Sequence, residues 1–192
     1  MAGPGRFHSR ALEYGSITKE KLLSLKGATL IDFTGSVPGF EHHTSFDQNV
    51  VKLLRNGSSS KTLVVIDSGV MMPGVKPYVV SDQVNLTGTN PLIGPNDSRG
   101  ERFPVVNGVY VSRFEDLPLS ALPRGVAGGL KHGVVPTPHE SEKLRSLGID
   151  FCCYNLVPTM LVAAHAGWKV VALVVPRGAK LDESIEKYLR GE

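Results

Sequence analysis

Apolar residues in this chain alternate between two rhythms. Ala28–Phe33, Thr62–Ile66, Ile149–Tyr154 and Trp168–Val175 are short, nearly unbroken apolar runs rich in β-branched residues. Runs of that length and composition belong to strands covered on both faces. A fifth, shorter one begins at Tyr78 and passes into a long polar stretch. Between the runs the spacing lengthens to that of a helix. Ile17, Leu22, Leu23 and Leu25 share a face of a short helix over 17–26 that Gly27 ends. Phe46, Val50, Leu53 and Leu54 do the same over 46–55. Thr137-Pro138-His139-Glu140 reads as a capping box with proline at the first helical position, opening a helix that turns Leu144 and Leu147 inward. Asn155–Gly167 reads as a helix of small and apolar residues, and Asp182 caps a last helix over 183–190.

Strands alternating with helices predict an α/β fold: a central mixed, partly parallel sheet of about five or six strands in three layers, with helices on both faces. Residues 1–16, with Gly3, Pro4 and Gly5, read as a mobile leader, and 17–192 as a single domain. Gly125–Gly133 is glycine-rich and lacks the Gly-x-Gly-x-x-Gly of a dinucleotide site.

The stretch that follows Tyr78 departs from packing material. Ser81-Asp-Gln-Val-Asn-Leu-Thr-Gly-Thr-Asn-Pro-Leu-Ile-Gly-Pro-Asn-Asp97, continued by Gly100-Glu-Arg-Phe-Pro104, is dense in turn-forming residues. Loops this long are functional or disordered as a rule. Leu86, Leu92, Ile93, Arg102 and Phe103 between the turn residues point to an ordered loop.

Composition narrows the classes of function. The chain has 192 residues, 41% hydrophobic and 20% charged, which is ordinary for a globular protein. No apolar run reaches the roughly 20 residues of a membrane span. The net charge of +3 is spread among acids without a basic block, so no direct nucleic-acid partner is expected. Cys152 and Cys153 are adjacent and suit buried, reduced thiols. His42 and His43 are adjacent as well, with no ligand at metal spacing, so no metal is expected. No Gly-x-Ser-x-Gly elbow or paired-carboxylate motif occurs. The expected compartment is cytoplasmic. Arg6, His8, Ser9 and Arg10, with no acid before Glu13, keep a mitochondrial location as the alternative.

Two segments resemble a known family. Ser81–Asp97 with 100–104 is similar to the signature of the trimeric purine nucleoside phosphorylases and methylthioadenosine phosphorylases, where Asp-His-Ile-Asn-Leu leads into Asn-Pro-Leu-x-Gly-Pro-Asn. Asp150, Val157, Pro158, Ala164, His165 and Gly167 fall on that family's Gly-Ala-Asp-x-Val-Gly-Met-Ser-Thr-Val-Pro-Glu…Ala-x-His-x-Gly. The resemblance covers 60–182, and 28–56 more weakly. It implies the phosphorylase/hydrolase-like fold, a trimer or other assembly, and phosphorolysis of purine nucleosides to base and ribose 1-phosphate. Phosphate would be the co-substrate, and no other cofactor is implied. It also places Asn90, Pro91, Asn96 and Phe103 at a subunit contact.

Departures from the pattern fall on the chemistry. Asp67-Ser68-Gly69 stands where the family has Asn-Ala-Ala-Gly-Gly, whose N–H groups meet phosphate and ribose. Pro136 stands where the family's base-binding Glu is found, and Glu140 matches only the second, structural one. Tyr154, Asn155 and Thr159 replace Met, Ser and Glu. The strand through Val174 ends without the family's base-binding Asn, and the closing helix with its ribose-contacting His has no counterpart. His165 reads as structural. The expectation is a catalytically degenerate phosphorylase-like protein acting as a structural or regulatory subunit, with no catalytic residue assigned. The alternative is an active, divergent pentosyltransferase of the same type. Its substrate-binding groups would be Ser36, Ser68, Gly69, Tyr154 and Asn155.

Overall fold

The computed structural model describes residues 29–35, 43–57, 62–72, 77–96, 98, 100–106, 108–110 and 122–177. The helices expected over 17–26 and 183–190, the leader and Ser36 lie outside the described residues. The elements run β1 (Thr29–Asp32), α1 (Gln48–Asn56), β2 (Thr62–Val70), β3 (Tyr78–Asn85), β4 (Arg124–Gly129), α2 (Pro138–Ser146), β5 (Phe151–Cys153), α3 (Leu156–His165) and β6 (Lys169–Pro176).

The expected mixed, partly parallel sheet is present. β2 is its axis. Along one edge β2 pairs in parallel with β6, from Thr62↔Lys169 to Gly69↔Pro176. Along the other it pairs first with β1 in parallel and then, past Ile66, with β5 in antiparallel at Gly69↔Cys153 and Val70↔Cys152. β5 continues in parallel to β4, and β4 in parallel to β3. β3 returns antiparallel to β6 at Tyr78↔Val174 and Val79↔Leu173. These pairings close β2, β5, β4, β3 and β6 into a ring, with β1 appended to β2. Closure leaves the interior strands without a free edge, and accounts for the completely buried run Leu63–Asp67 in β2.

The first part of the glycine-rich stretch is a strand, β4. β4 lies between β3 and β5, and its glycines are there because neighbours come too close for a side chain. A Cβ on Gly129 would sit 2.6 Å from Val157 Cβ on α3, and one on Gly125 would sit 2.8 Å from the Phe151 ring. Glycine in a strand interior often marks such an approach, a signal that composition alone reads as a loop.

α2 carries the expected capping box: Thr137 N–H donates to Glu140 Oε2 at 2.7 Å, and Glu140 N–H to Thr137 Oγ1 at 3.3 Å. Leu144 packs against Leu130, Ile149 and Cys152 as expected. Leu147 does not turn inward; it is 76% exposed. The helix ends at Ser146, and Leu147 is its C-cap, with its N–H on the carbonyls of Lys143 and Leu144, so its side chain has left the helical register. α1 begins at Asp47, whose carboxylate accepts from Asn49 and Val50 N–H at 2.8 and 3.1 Å. The indole of Trp168 donates to Leu54 O at 2.8 Å and ties α1 to the start of β6.

Candidate site at the strand ends

β2 is apolar up to Ile66, and Asp67 follows with no exposed surface. A buried carboxylate requires donors, and four converge on it. Asn155 and Leu156 N–H donate to Oδ2 at 2.8 and 2.9 Å. Ser68 N–H and Asn155 Nδ2 donate to Oδ1 at 2.9 and 3.2 Å. The carboxylate thus sits at the N-terminus of α3, where the helix leaves N–H groups unpaired and its dipole favours an anion. Burial nonetheless raises the Asp67 carboxyl above its ordinary range, against the pull of the hydrogen bonds from Asn155, Leu156 and Ser68. Asn155 extends the network by accepting from Phe46 N–H at 3.0 Å, which holds the segment before α1 against the end of β2.

In front of Asn155 lies a cavity of about 350 Å³. Apolar Phe46 and Pro158, aromatic Tyr154, polar Ser45, Thr87, Thr89 and Asn90, and Lys131 and His132 after β4 are among the residues that line it. The His132 and Tyr154 rings are 5.4 Å apart and tilted by 46°. The Tyr154 hydroxyl donates to Val134 O at 2.9 Å. Desolvation lifts the phenol above its ordinary pKa, while Arg177 opposes the lift.

Among its described residues the long loop is braced by its own hydrogen bonds. Asn85 holds its start, donating to Thr89 O at 2.8 Å and accepting from Thr87 Oγ1 at 2.6 Å. Asn90 Oδ1 accepts from Leu92 N–H at 2.9 Å. Farther on, Asn96 donates to Gly100 O at 3.3 Å and lies 3.4 Å from the Nε2 of buried His165. Ile93 and Phe103 project from the loop, 81% and 82% exposed. They border a second recess of about 350 Å³, between the loop and Leu161.

The residues named from sequence therefore separate. Tyr154 and Asn155 line the first cavity. Ser68 is half-buried at the end of β2, and Gly69 is buried there; a Cβ on Gly69 would lie 2.6 Å from Val174. Neither lines the cavity. Of the expected contact residues, Asn90 borders both recesses, Pro91 the first and Phe103 the second, while Asn96 braces the loop. Ser45, Phe46, Thr87, Thr89, Lys131 and His132 were not singled out from sequence. None of them carries a local sequence signal that marks it as lining a cavity.

Burial pushes the Cys152 thiol up to about 11 and Cys153 well above its ordinary value, which disfavours the thiolate in both. Among the described residues no three His, Cys, Asp or Glu side chains gather as a metal set, and no helix is long and apolar enough to cross a membrane.

No family model matches the chain. Purine nucleoside phosphorylase 1 of Geobacillus stearothermophilus is 29% identical over 180 residues, 86% of this chain and 62% of the relative. Purine nucleoside phosphorylase 1 of Bacillus subtilis is 36% identical over 108 residues, 50% of this chain and 38% of the relative. The purine nucleoside phosphorylase of Saccharomyces cerevisiae is 26% identical over 184 residues, 86% and 57% of the two chains. Among solved structures, a Schistosoma purine nucleoside phosphorylase in complex with guanosine superposes with TM-score 0.55 at 22% identity, covering 69% of this chain and 62% of that one. The Schistosoma mansoni enzyme in complex with acetate gives 0.57 at 21% identity, with 68% and 57% covered. This chain spans less than two thirds of the length of each of these relatives.

Proposed function

We propose that this chain, similar to the purine nucleoside phosphorylases and read as a divergent member of that family, keeps the family's nucleoside-type cavity without phosphorolysis, and serves as a structural or regulatory subunit of an assembly. Phosphorolysis needs a phosphate seat close to the sugar. The observation that carries the reading is Asp67, whose carboxylate already occupies the N–H groups of Ser68, Asn155 and Leu156. A phosphate brought to about 4 Å from that carboxylate in its ionised form would be repelled by about 4 kcal/mol per charge at an effective dielectric near 20. That is nearly three powers of ten in affinity. The missing Glu at Pro136 and the missing Asn after Val175 weaken the grip on a departing base in the same direction.

The assembly half of the reading rests on Ile93 and Phe103, large apolar side chains held out on a braced loop. An equal copy or a different subunit would cover them. Purified protein incubated with inosine or guanosine and phosphate should release no base above the uncatalysed rate, and phosphate-dependent turnover would overturn the reading. Size-exclusion and pull-down of the native complex separate a homo-oligomer, such as a trimer, from a hetero-assembly.

One observation favours a second reading, an active and divergent pentosyltransferase. Tyr154 and Asn155 do border a cavity large enough for a small ligand. In that case turnover survives and depends on Tyr154.

A further inference from the structure

One nitrogen of a buried histidine is left over. His165 ends α3 at 4% exposure, and its Nδ1 has no hydrogen-bond partner among the described residues. The other nitrogen, Nε2, is 3.4 Å from Asn96 Oδ1 on the long loop. Which of the two carries the proton follows from Asn96. Its Nδ2 donates to Gly100 O at 3.3 Å, which turns Oδ1, an acceptor only, toward the imidazole. Nε2 is therefore the donor of the neutral ring, and Nδ1 is bare. Gly100 closes the triangle. A Cβ there would lie 1.9 Å from His165 O and 3.1 Å from Nδ1, so the loop backbone is seated directly on this histidine. One turn earlier on the same face of α3, Leu161 borders the recess beside Phe103. The loop thus meets that face of the helix at Leu161 and again at His165.

We propose that His165 is a proton-operated latch for this loop, closed by the neutral imidazole and released when Nδ1 is protonated. The second proton makes the ring a cation with an N–H on each nitrogen, and Nδ1 lies against Gly100 with no acceptor. A buried charge with an unmet donor is costly, and lifting the loop lets water supply the acceptor. α3 has no other titratable side chain. The elements packed on it bring Lys52 and Arg55 from α1, Asp67 from β2, Tyr78 and Asp82 from β3, Arg124 from β4 and Lys169 from β6. Asp67 is engaged at the opposite end of the helix. The loop adds Glu101 and Arg102 after Gly100, while Asp97 and Arg99 lie outside the described residues. None of the described groups hydrogen-bonds the ring, whose partner is Asn96. Where the loop is the subunit contact proposed above, a reading the latch itself does not need, acidification also loosens the assembly.

Amide hydrogen exchange of the full chain, read on the peptide spanning 93–104 and corrected for the intrinsic pH dependence of exchange, tests this. Protection there should fall at least about tenfold across the range in which imidazoles titrate, roughly pH 8 to 5, the equivalent of one buried group left unpaired. His165→Gln, an amide that donates to Asn96 and never gains a charge, should keep protection level across that range. Because position 165 is buried, a variant at exposed Asn96 supplies an arm independent of core packing. In Asn96→Asp the new carboxylate pairs with the imidazolium, so acid should no longer release the loop, with the melting temperature as the check on folding. Wild-type protection that does not change with pH overturns the latch, and so does an equal fall in Asn96→Asp. A fall in wild type alone, with the native complex intact in size-exclusion at acid pH, supports the latch and removes the loop from the subunit contact.

Discussion

Replacing Asp67 separates the two things this residue contributes, an acceptor and a charge. Asp67→Ala leaves the N–H groups of Ser68, Asn155 and Leu156 and the amide of Asn155 without their acceptor. Each buried donor left unpaired costs about 1 to 3 kcal/mol. The four share one site and can relax together, so the sum is not additive, and a loss of about 3 to 5 kcal/mol is expected. Asp67→Asn keeps one oxygen, enough for Asn155 and Leu156 N–H, but turns an NH2 toward Ser68 N–H and Asn155 Nδ2. It also removes the burden of a buried charge, and about 1 to 2 kcal/mol should be lost.

The gap between wild type and Asp67→Asn depends on pH, in the direction set by the carboxyl's shift. Burial raises the pKa above the ordinary 3.8, so the folded chain binds this proton more readily than the unfolded one. Stability from that difference is complete below 3.8 and is lost as pH rises through the folded value. Wild type should therefore gain on Asp67→Asn as the solution is acidified. Urea unfolding followed by circular dichroism, at neutral and at mildly acid pH, gives both numbers. Asp67→Ala losing less than about 1 kcal/mol, or Asp67→Asn losing as much as Asp67→Ala, would refute the acceptor account.

Gly129→Ala should cost about 1 to 3 kcal/mol by driving a methyl into Val157, read as a lowered urea midpoint; an unchanged midpoint would mean that α3 shifts freely. Phe103→Ser should leave the melting temperature of the isolated chain within a degree or two, since the ring is 82% exposed, yet reduce the mass of the native complex in size-exclusion. Retention of the full complex would remove Phe103 from the contact. The capping bonds to Thr137 lower the Glu140 carboxyl below its ordinary 4.5. Its stabilisation is thus present above that value and lost as pH falls through the folded one, so Glu140→Gln should flatten the acid limb of the melting curve. Thr137→Ala should lose about 1 kcal/mol with the same cap.

How much of this was legible in the sequence depended on whether a signal was local. The capping box at Thr137, the β2 and β6 runs and the helix before Gly167 are patterns set by neighbours in the chain, and they appear where the pattern places them. β4 was hidden because its glycines answer to Val157 and Phe151, some 30 residues away in the chain. Leu147 looked inward by spacing because the helix was taken one residue too far. At the cavity, Tyr154 and Asn155 were recognisable by their place in a family pattern. Lys131 and His132 were not, since a basic pair after a glycine run acquires meaning only when β4 is known to end there.

On the proposed reading, Asp67 explains how the fold could be retained without the chemistry. The N-terminus of α3 must have its N–H groups satisfied, whether by a bound anion or by the chain itself. A mobile anion at that seat ties folding to its concentration, whereas a carboxylate from β2 satisfies the helix permanently and fastens it to the sheet. An aspartate here would therefore be expected to stabilise the scaffold and to obstruct phosphate by one and the same set of hydrogen bonds. The same logic predicts that restoring a small neutral residue would weaken the fold, and that added phosphate would recover part of the loss. Thermal shifts of Asp67→Ala with and without phosphate measure this directly. A phosphate-dependent rise in the variant but not in wild type is the expected outcome, and equal responses would show that the anion seat lies elsewhere.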